Sequence, residues 1–230
     1  MKIEALFLGL SELPRAMIER LLFAMSEEPG GIVGDGRTVV LIPGLGGSDT
    51  SMNHLKYHLL ASGFDTRYWG LGINAGQHVG DPVRLVDRIA GIAKETGQKV
   101  TLIGWSLGGI LARTLATDHP HMVREVITLG SPFSGDFKLN NIWRIISLFP
   151  GVTETPEMLD FAETLARPIP VPALSIYSKR DGVVYWRNCL DPNGFTDEVE
   201  VNSSHLGIVY STEVFDIIVD RLTRSAPAIN

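Results

Sequence analysis

The chain has 230 residues, 44% hydrophobic and 20% charged, the balance of a globular protein able to bury a large core. A net charge of -6 with no cluster of Lys or Arg argues against a nucleic-acid surface. The one cysteine, Cys189, excludes an internal disulfide and suits a reducing compartment.

The N-terminus lacks the arrangement of a secretory signal. Lys2 leads into Ile3-Glu4, and the apolar stretch that follows is broken by Ser11-Glu12 and Pro14-Arg15. No apolar run reaches membrane-spanning length, so no integral membrane segment is expected and the expected location is cytoplasmic. Met17, Ile18, Leu21, Leu22 and Met25 recur at helical spacing and predict an amphipathic helix over 12–25. Its apolar stripe is expected to pack on the domain's own core, the other use of such a stripe being contact with a membrane surface or a partner. Residues 26–36, rich in glycine and acid, read as a connection.

Thr38 to Ile42 predicts a buried strand that runs into Pro43-Gly44-Leu45-Gly46-Gly47-Ser48-Asp49. A glycine-rich loop after a strand can cradle phosphate. Here the spacing matches neither the dinucleotide fingerprint nor a Walker loop, and no lysine follows. Ser48 or Asp49 is positioned to cap a helix through Leu55, Leu59 and Leu60, ended by Gly63. Phe64 to Trp69 is a second strand candidate, and the glycine-rich 70–76 reads as a turn. Asp81 as N-cap and Pro82 as first helical residue announce a helix with Val86, Ile89, Ala90 and Ala93 inward and Gly97 at its end.

The centre of the chain is Val100-Thr101-Leu102-Ile103-Gly104-Trp105-Ser106-Leu107-Gly108-Gly109. A short apolar strand passes through Gly-x-Ser-x-Gly straight into a helical stretch, 110–116, closed by His119-Pro120. Such a reversal forces a sharp, strained turn at Ser106 and lifts its hydroxyl beside the first, unpaired amides of the helix. The Leu107 amide is one donor for a developing oxyanion, and the Leu45 amide of the earlier glycine loop is the second.

A strand at Arg124 to Leu129 stops at Gly130-Ser131-Pro132. Over 133–170 the strand–helix rhythm breaks, and Trp143 and Phe149 stand in a dense apolar segment. The expectation is a small helical cap supplying an acyl pocket with Trp105, the alternative being an ordinary helical connection on the sheet edge. Val171 to Tyr177 resumes the sheet. Glu198 to Val201 alternates as an edge strand would, and a helix through Val214, Phe215, Ile218 and Leu222 closes the chain. Alternating strands and helices give an α/β fold, one domain over 1–230, with a mainly parallel sheet covered on both faces.

A serine hydroxyl needs an imidazole to accept its proton and a carboxylate to orient that imidazole. His54 and His58 fall within a helix, and His119 and His121 at a helix end; His78 is in a strand-end loop and is the rival to His205, which follows the last strand among small residues. Asp181 sits just past a strand end before Gly182, whereas Asp136 and Asp160 fall in or near the cap and Asp191 and Asp197 precede the last strand. Cys189 lacks any turn motif that would mark a nucleophile. The chain order Ser106, Asp181, His205 suits this architecture.

Through PGLGGSD, GWSLGG, TLGSPFSG, SIYSKRDGVV and NSSHLG, the chain from Thr38 onward resembles α/β-hydrolases of the bacterial lipase and esterase type. The resemblance implies Ser106 as nucleophile, Asp181 and His205 as its partners, and Leu45 and Leu107 as oxyanion donors. Pro43-Gly44 replaces the His-Gly often found in the oxyanion loop, and Phe133 stands where many lipases carry a histidine. The expectation is a serine hydrolase acting on a small ester or lipid without metal or organic cofactor. The alternatives are an acyltransferase using the same triad with an acceptor other than water, and a non-catalytic binding protein on the same fold.

Overall fold

The computed structural model describes residues 2–25, 31, 33–76, 78, 82–135, 165 and 167–224. Within them, β1 (Thr38–Ile42), β2 (Asp65–Tyr68), β3 (Val100–Trp105), β4 (Val123–Leu129), β5 (Ala173–Tyr177) and β6 (Asp197–Glu200) form one sheet ordered β2-β1-β3-β4-β5-β6. Every neighbouring pair is parallel, so all six strands end on the same side of the molecule. The helices are α1 (Lys2–Ala24), α2 (Asn53–Ala61), α3 (Val83–Thr96), α4 (Leu107–Asp118) and α5 (Thr212–Arg224).

The alternation of strand side chains divides the core into two layers. Val39 and Leu41 of β1, Ile103 and Trp105 of β3, and Ile127 and Leu129 of β4 pack with Leu55 and Leu59 of α2 and with Val214, Phe215, Ile218 and Leu222 of α5. On the opposite face Val40, Ile42, Leu102 and Val126 meet Leu85, Ile89 and Ile92 of α3 and Leu111 and Leu115 of α4. Strands buried on both faces read as largely apolar runs, which is why these segments were readable as strands. β1 is the switch point, with β2 on one side and β3 on the other, and a crevice forms beyond the strand ends where the connections diverge.

Three local expectations are corrected. Val86, Ala90 and Ala93 of α3 flank its buried stripe, whose centre is Leu85, Ile89 and Ile92. The stretch after Ser48 begins as a 3-10 turn over Asp49–Met52 with no side-chain cap, and Asp49 instead accepts the Gly70 amide at 3.3 Å. The N-terminal helix spans Lys2–Ala24 rather than 12–25, passing through Pro14. Arg15 keeps the turn closed by donating to the Ser11 and Leu8 carbonyls at 3.3 and 3.1 Å.

The face of α1 is the larger surprise. The stripe expected to enter the core is outside, Met17 being 73% and Met25 76% exposed, and Leu10, Leu13, Ile18, Leu21 and Leu22 are exposed with them. The inward line is Glu12, Ala16, Glu19 and Phe23; Glu12 is only 4% exposed, and Phe23 meets the rings of His54 and Phe215 edge-on at 4.9 and 5.4 Å. Backbone amides beneath the helix need acceptors, and carboxylates supply them where leucines could not. No helix of the described residues is long and apolar enough to cross a membrane.

Asp81, named as an N-cap, lies outside the described residues, and Pro82 takes the cap position of α3. Trp143, Phe149, Asp136, Asp160 and most of the expected cap over 133–170 likewise lie outside them.

Candidate active site

Ser106 joins β3 to α4 at φ 53° and ψ -119°, and it is the one non-glycine residue with positive φ among the described residues. A β-carbon in that region is strained by roughly 1–3 kcal/mol, so the surroundings must impose it. Its amide is tied to the Leu129 carbonyl at 2.8 Å. The flanking glycines are obligatory: a β-carbon on Gly104 would stand 2.3 Å from the Gly108 carbonyl oxygen, and one on Gly108 would stand 2.2 Å from that of Ile42. The turn therefore exists because β3, α4 and the end of β1 touch backbone to backbone.

The glycine loop after β1 folds over this turn. A β-carbon on Gly44 would lie 3.2 Å from the Ser106 Cβ, which sets the loop backbone against the serine. The first amides of α4 point the positive end of the helix into the same space. Leu45 and Leu107 meet at Gly76, whose added β-carbon would be 3.7 Å from Leu45 Cδ1 and 3.9 Å from Leu107 Cδ2. What fixes the loop is a residue the sequence did not flag. Asn74 is fully buried in the segment 70–76 expected to be a simple turn. Its Nδ2 donates to the Pro43 carbonyl at 2.8 Å, its amide donates to Gly47, and its carbonyl accepts the Gly46 amide, both at 2.8 Å. A lone asparagine among glycines after a strand was the only available signal.

Asp181 follows β5 and does two things at once. Its Oδ1 accepts the amides of Val183 and Val184 at 2.8 and 2.7 Å, capping its own turn. Its Oδ2 lies 2.6 Å from Nδ1 of His205, which follows β6. With the carboxylate ionised, Nδ1 is the donor and Nε2 is left free to accept a proton. Burial of the imidazole works against its charged form, but the charge and hydrogen bond of Asp181, with Glu12 adding its charge, outweigh this and raise the His205 pKa.

Asp181 and His205 meet at the end of β4. Gly130, next to the Leu129 that anchors Ser106, faces the pair: a β-carbon there would be 3.1 Å from Asp181 Oδ2 and 3.3 Å from His205 Nδ1. Trp105, expected to line an acyl pocket, is 8% exposed and donates its indole N–H to the His205 carbonyl at 3.1 Å, so it ties the histidine loop to the residue before the serine. His205 and Asp181 are bonded directly.

The rivals are elsewhere. His78 packs edge-on to Trp69 at 5.5 Å and lies by Leu111, Leu115 and His119, along the body and far end of α4 rather than at Ser106. Asp191 accepts from Asn193 and Thr196 within its own loop, and Asp197 pairs with Arg221. Cys189 is buried, which pushes its thiol pKa well up and keeps it from acting as a thiolate. Phe133 is buried beneath the Arg113 guanidinium, 3.9 Å from its ring, and shares a small apolar cluster with Ile110 and Leu165.

A model of the alpha/beta hydrolase fold family matches residues 37–155. Two curated relatives bear the name pimeloyl-[acyl-carrier protein] methyl ester esterase. That of Vibrio campbellii is 32% identical over 115 residues, 50% of this chain and 43% of its own length. That of Aeromonas hydrophila is 28% identical over 175 residues, 68% of this chain and 62% of its own. The chain thus spans about half the length of the curated relatives it matches. Among solved structures, the Bacillus licheniformis lipase BlEst2 aligns with a TM-score of 0.63 at 18% identity, over 85% of this chain and 96% of the lipase, a likeness of fold. With the family match spanning β1 to the end of β4 and the parallel sheet carrying a serine turn at its centre, the chain belongs to the alpha/beta hydrolase fold family.

Proposed function

We propose that this protein is a serine hydrolase that cleaves carboxylic esters through an acyl-enzyme, with Ser106, Asp181 and His205 as its triad. The observation that carries this reading is the 2.6 Å bond between His205 Nδ1 and Asp181 Oδ2 beside a serine held at φ 53°. Strain concentrated on the one residue with a suitable hydroxyl is what a nucleophile on this turn requires. Ester-cleaving names on both curated relatives support the substrate class.

In the first half-reaction Ser106 Oγ attacks the ester carbonyl while His205 Nε2 takes its proton. The carbonyl oxygen becomes an oxyanion held by the amides of Leu45 and Leu107. His205 then returns the proton to the leaving alcohol, and the acyl group remains on Ser106. Water then attacks the acyl carbon while His205 Nε2 takes its proton, and as the bond from the acyl carbon to Ser106 Oγ breaks, that proton passes to Oγ and the carboxylic acid leaves. Asp181 orients the ring and stabilises the imidazolium in between. A reducing cytoplasmic setting fits a chain whose single thiol is buried.

The test is hydrolysis of a short-chain nitrophenyl ester by purified wild type and Ser106→Ala, with labelling by a fluorophosphonate. Ser106→Ala is expected to lose at least about 10⁴-fold in kcat and all labelling. Wild-type turnover in that variant would overturn the assignment.

A further inference from the structure

We propose that Glu12 of α1 is a positioning residue that fixes the loop carrying Asp181 and the loop carrying His205 in one geometry. The inference rests on the triad reading above and goes beyond it, since α1 lies outside the segment matched by the family model. Glu12 Oε1 accepts the Gly182 amide at 2.7 Å and the His205 amide at 3.2 Å, and Oε2 accepts the Leu206 amide at 3.1 Å. Those donors are the residue after Asp181, His205 itself and the residue after it. One side chain 170 or more positions away thus holds both partners of the serine by their backbones.

The neighbours of Glu12 reinforce the clamp. Arg15 pairs with Glu12 Oε1 at 2.8 Å and donates to the Arg180 carbonyl at 2.5 Å, on the other side of Asp181. Glu19 accepts the Ser204 amide at 2.8 Å and the Ser204 hydroxyl. The loops are shaped to receive the helix. A β-carbon on Gly182 would stand 2.4 Å from the Leu8 carbonyl oxygen, and one on Gly207 would overlap the Glu19 carboxylate at 1.4 Å. Each triad loop therefore carries a glycine where α1 sits; a larger residue at Gly182 would press on the helix backbone, and one at Gly207 would push the Glu19 carboxylate aside.

This arrangement explains the orientation of α1. A helix docked through apolar contacts would bury Met17 and Leu21; this one turns Glu12 and Glu19 inward, where their carboxylates accept the amides beneath it. A carboxylate accepting three amide bonds is held firmly, and positions its donors to within the tolerance that proton transfer demands.

The charge has a separate effect that a merely structural role would lack. The groups facing the His205 imidazole are Asp181 from the loop after β5 and Glu12 from α1, with Arg15 and Glu19 next to Glu12 and the neutral Trp105 ring across from it. Both carboxylates favour the imidazolium. In Glu12→Gln the charge is removed and much of the shape kept, so the His205 pKa falls. Neutral imidazole, the form that works as base, then survives to lower pH, and the acid limb of kcat/KM moves down.

The experiment compares wild type, Glu12→Gln and Glu12→Ala by pH-resolved ester hydrolysis, alongside Ser106→Ala and thermal melts. Wild type is expected to show its acid limb above the ~6.5 of a free imidazole. Glu12→Gln is expected to shift that limb to lower pH, and Glu12→Ala to lose roughly 100-fold in kcat with KM little changed. Folded Glu12→Gln with wild-type kcat and an unmoved limb overturns the proposal, whatever happens to its melting temperature; this variant decides the matter if Glu12→Ala does not fold. If Ser106→Ala stays active, the triad reading has failed instead.

Discussion

At φ 53° the backbone of Ser106 sits where only glycine is comfortable, and the fold holds it there through the Leu129 carbonyl and the packed glycines on either side. Strain of this kind opposes stability to serve reactivity. Ser106→Gly is accordingly expected to raise stability by about 1 kcal/mol, an increase of roughly 2–4 °C in Tm, while abolishing hydrolysis. A melting curve that is unchanged or lowered would mean that the turn is relaxed with serine in place. Asp181 gives the complementary lesson, since one oxygen caps the turn and the other orients His205. An aspartate before a glycine reads as a turn residue from sequence, and it is one; the imidazole contact emerges only when β5 and β6 lie side by side.

Elements whose contacts are local were the most legible. β3 with its serine turn, the glycine loop after β1, Gly97 closing α3 in the left-handed region, and the four inward residues of α5 all stand where periodicity and turn chemistry put them. Elements held by distant polar partners were not. For α1, counting apolar spacing chose the face that points to solvent, because hydrophobic periodicity carries no information about acceptors needed by loops 170 or more residues away. The same holds for Asn74, whose side chain and backbone are stitched into the loop after β1. Asn74→Ala is expected to loosen that loop and lower kcat for ester hydrolysis by roughly tenfold or more, since misplaced oxyanion donors weaken transition-state binding. Unchanged kcat in the variant would show that the loop holds its shape without it.

Across the whole molecule, the site is assembled from β1, β3, β5 and β6, with the end of β4 beneath it. Its most exposed support is β6, a four-residue edge strand paired only with β5. Arg221 of α5 secures that edge by reaching both Asp197 of β6, at 2.6 Å, and the buried Glu125 of β4. Removing this cation from a buried carboxylate is expected to cost roughly 2 kcal/mol, less than for a fully buried pair because Arg221 is partly exposed. Differential scanning of Arg221→Ala should therefore show Tm lower by about 4–8 °C; an unaltered Tm would assign the pair no role in stability.

Because His205 follows β6, the last strand of the sheet in chain order, the proposed triad is completed late in synthesis. A ribosome that has released everything through Gly135 has made Ser106 and its glycine cradle, yet the proposed chemistry still lacks its base and the carboxylate that orients it. His205 then docks beside α1, so two segments of the described chain made far apart in time close the arrangement together.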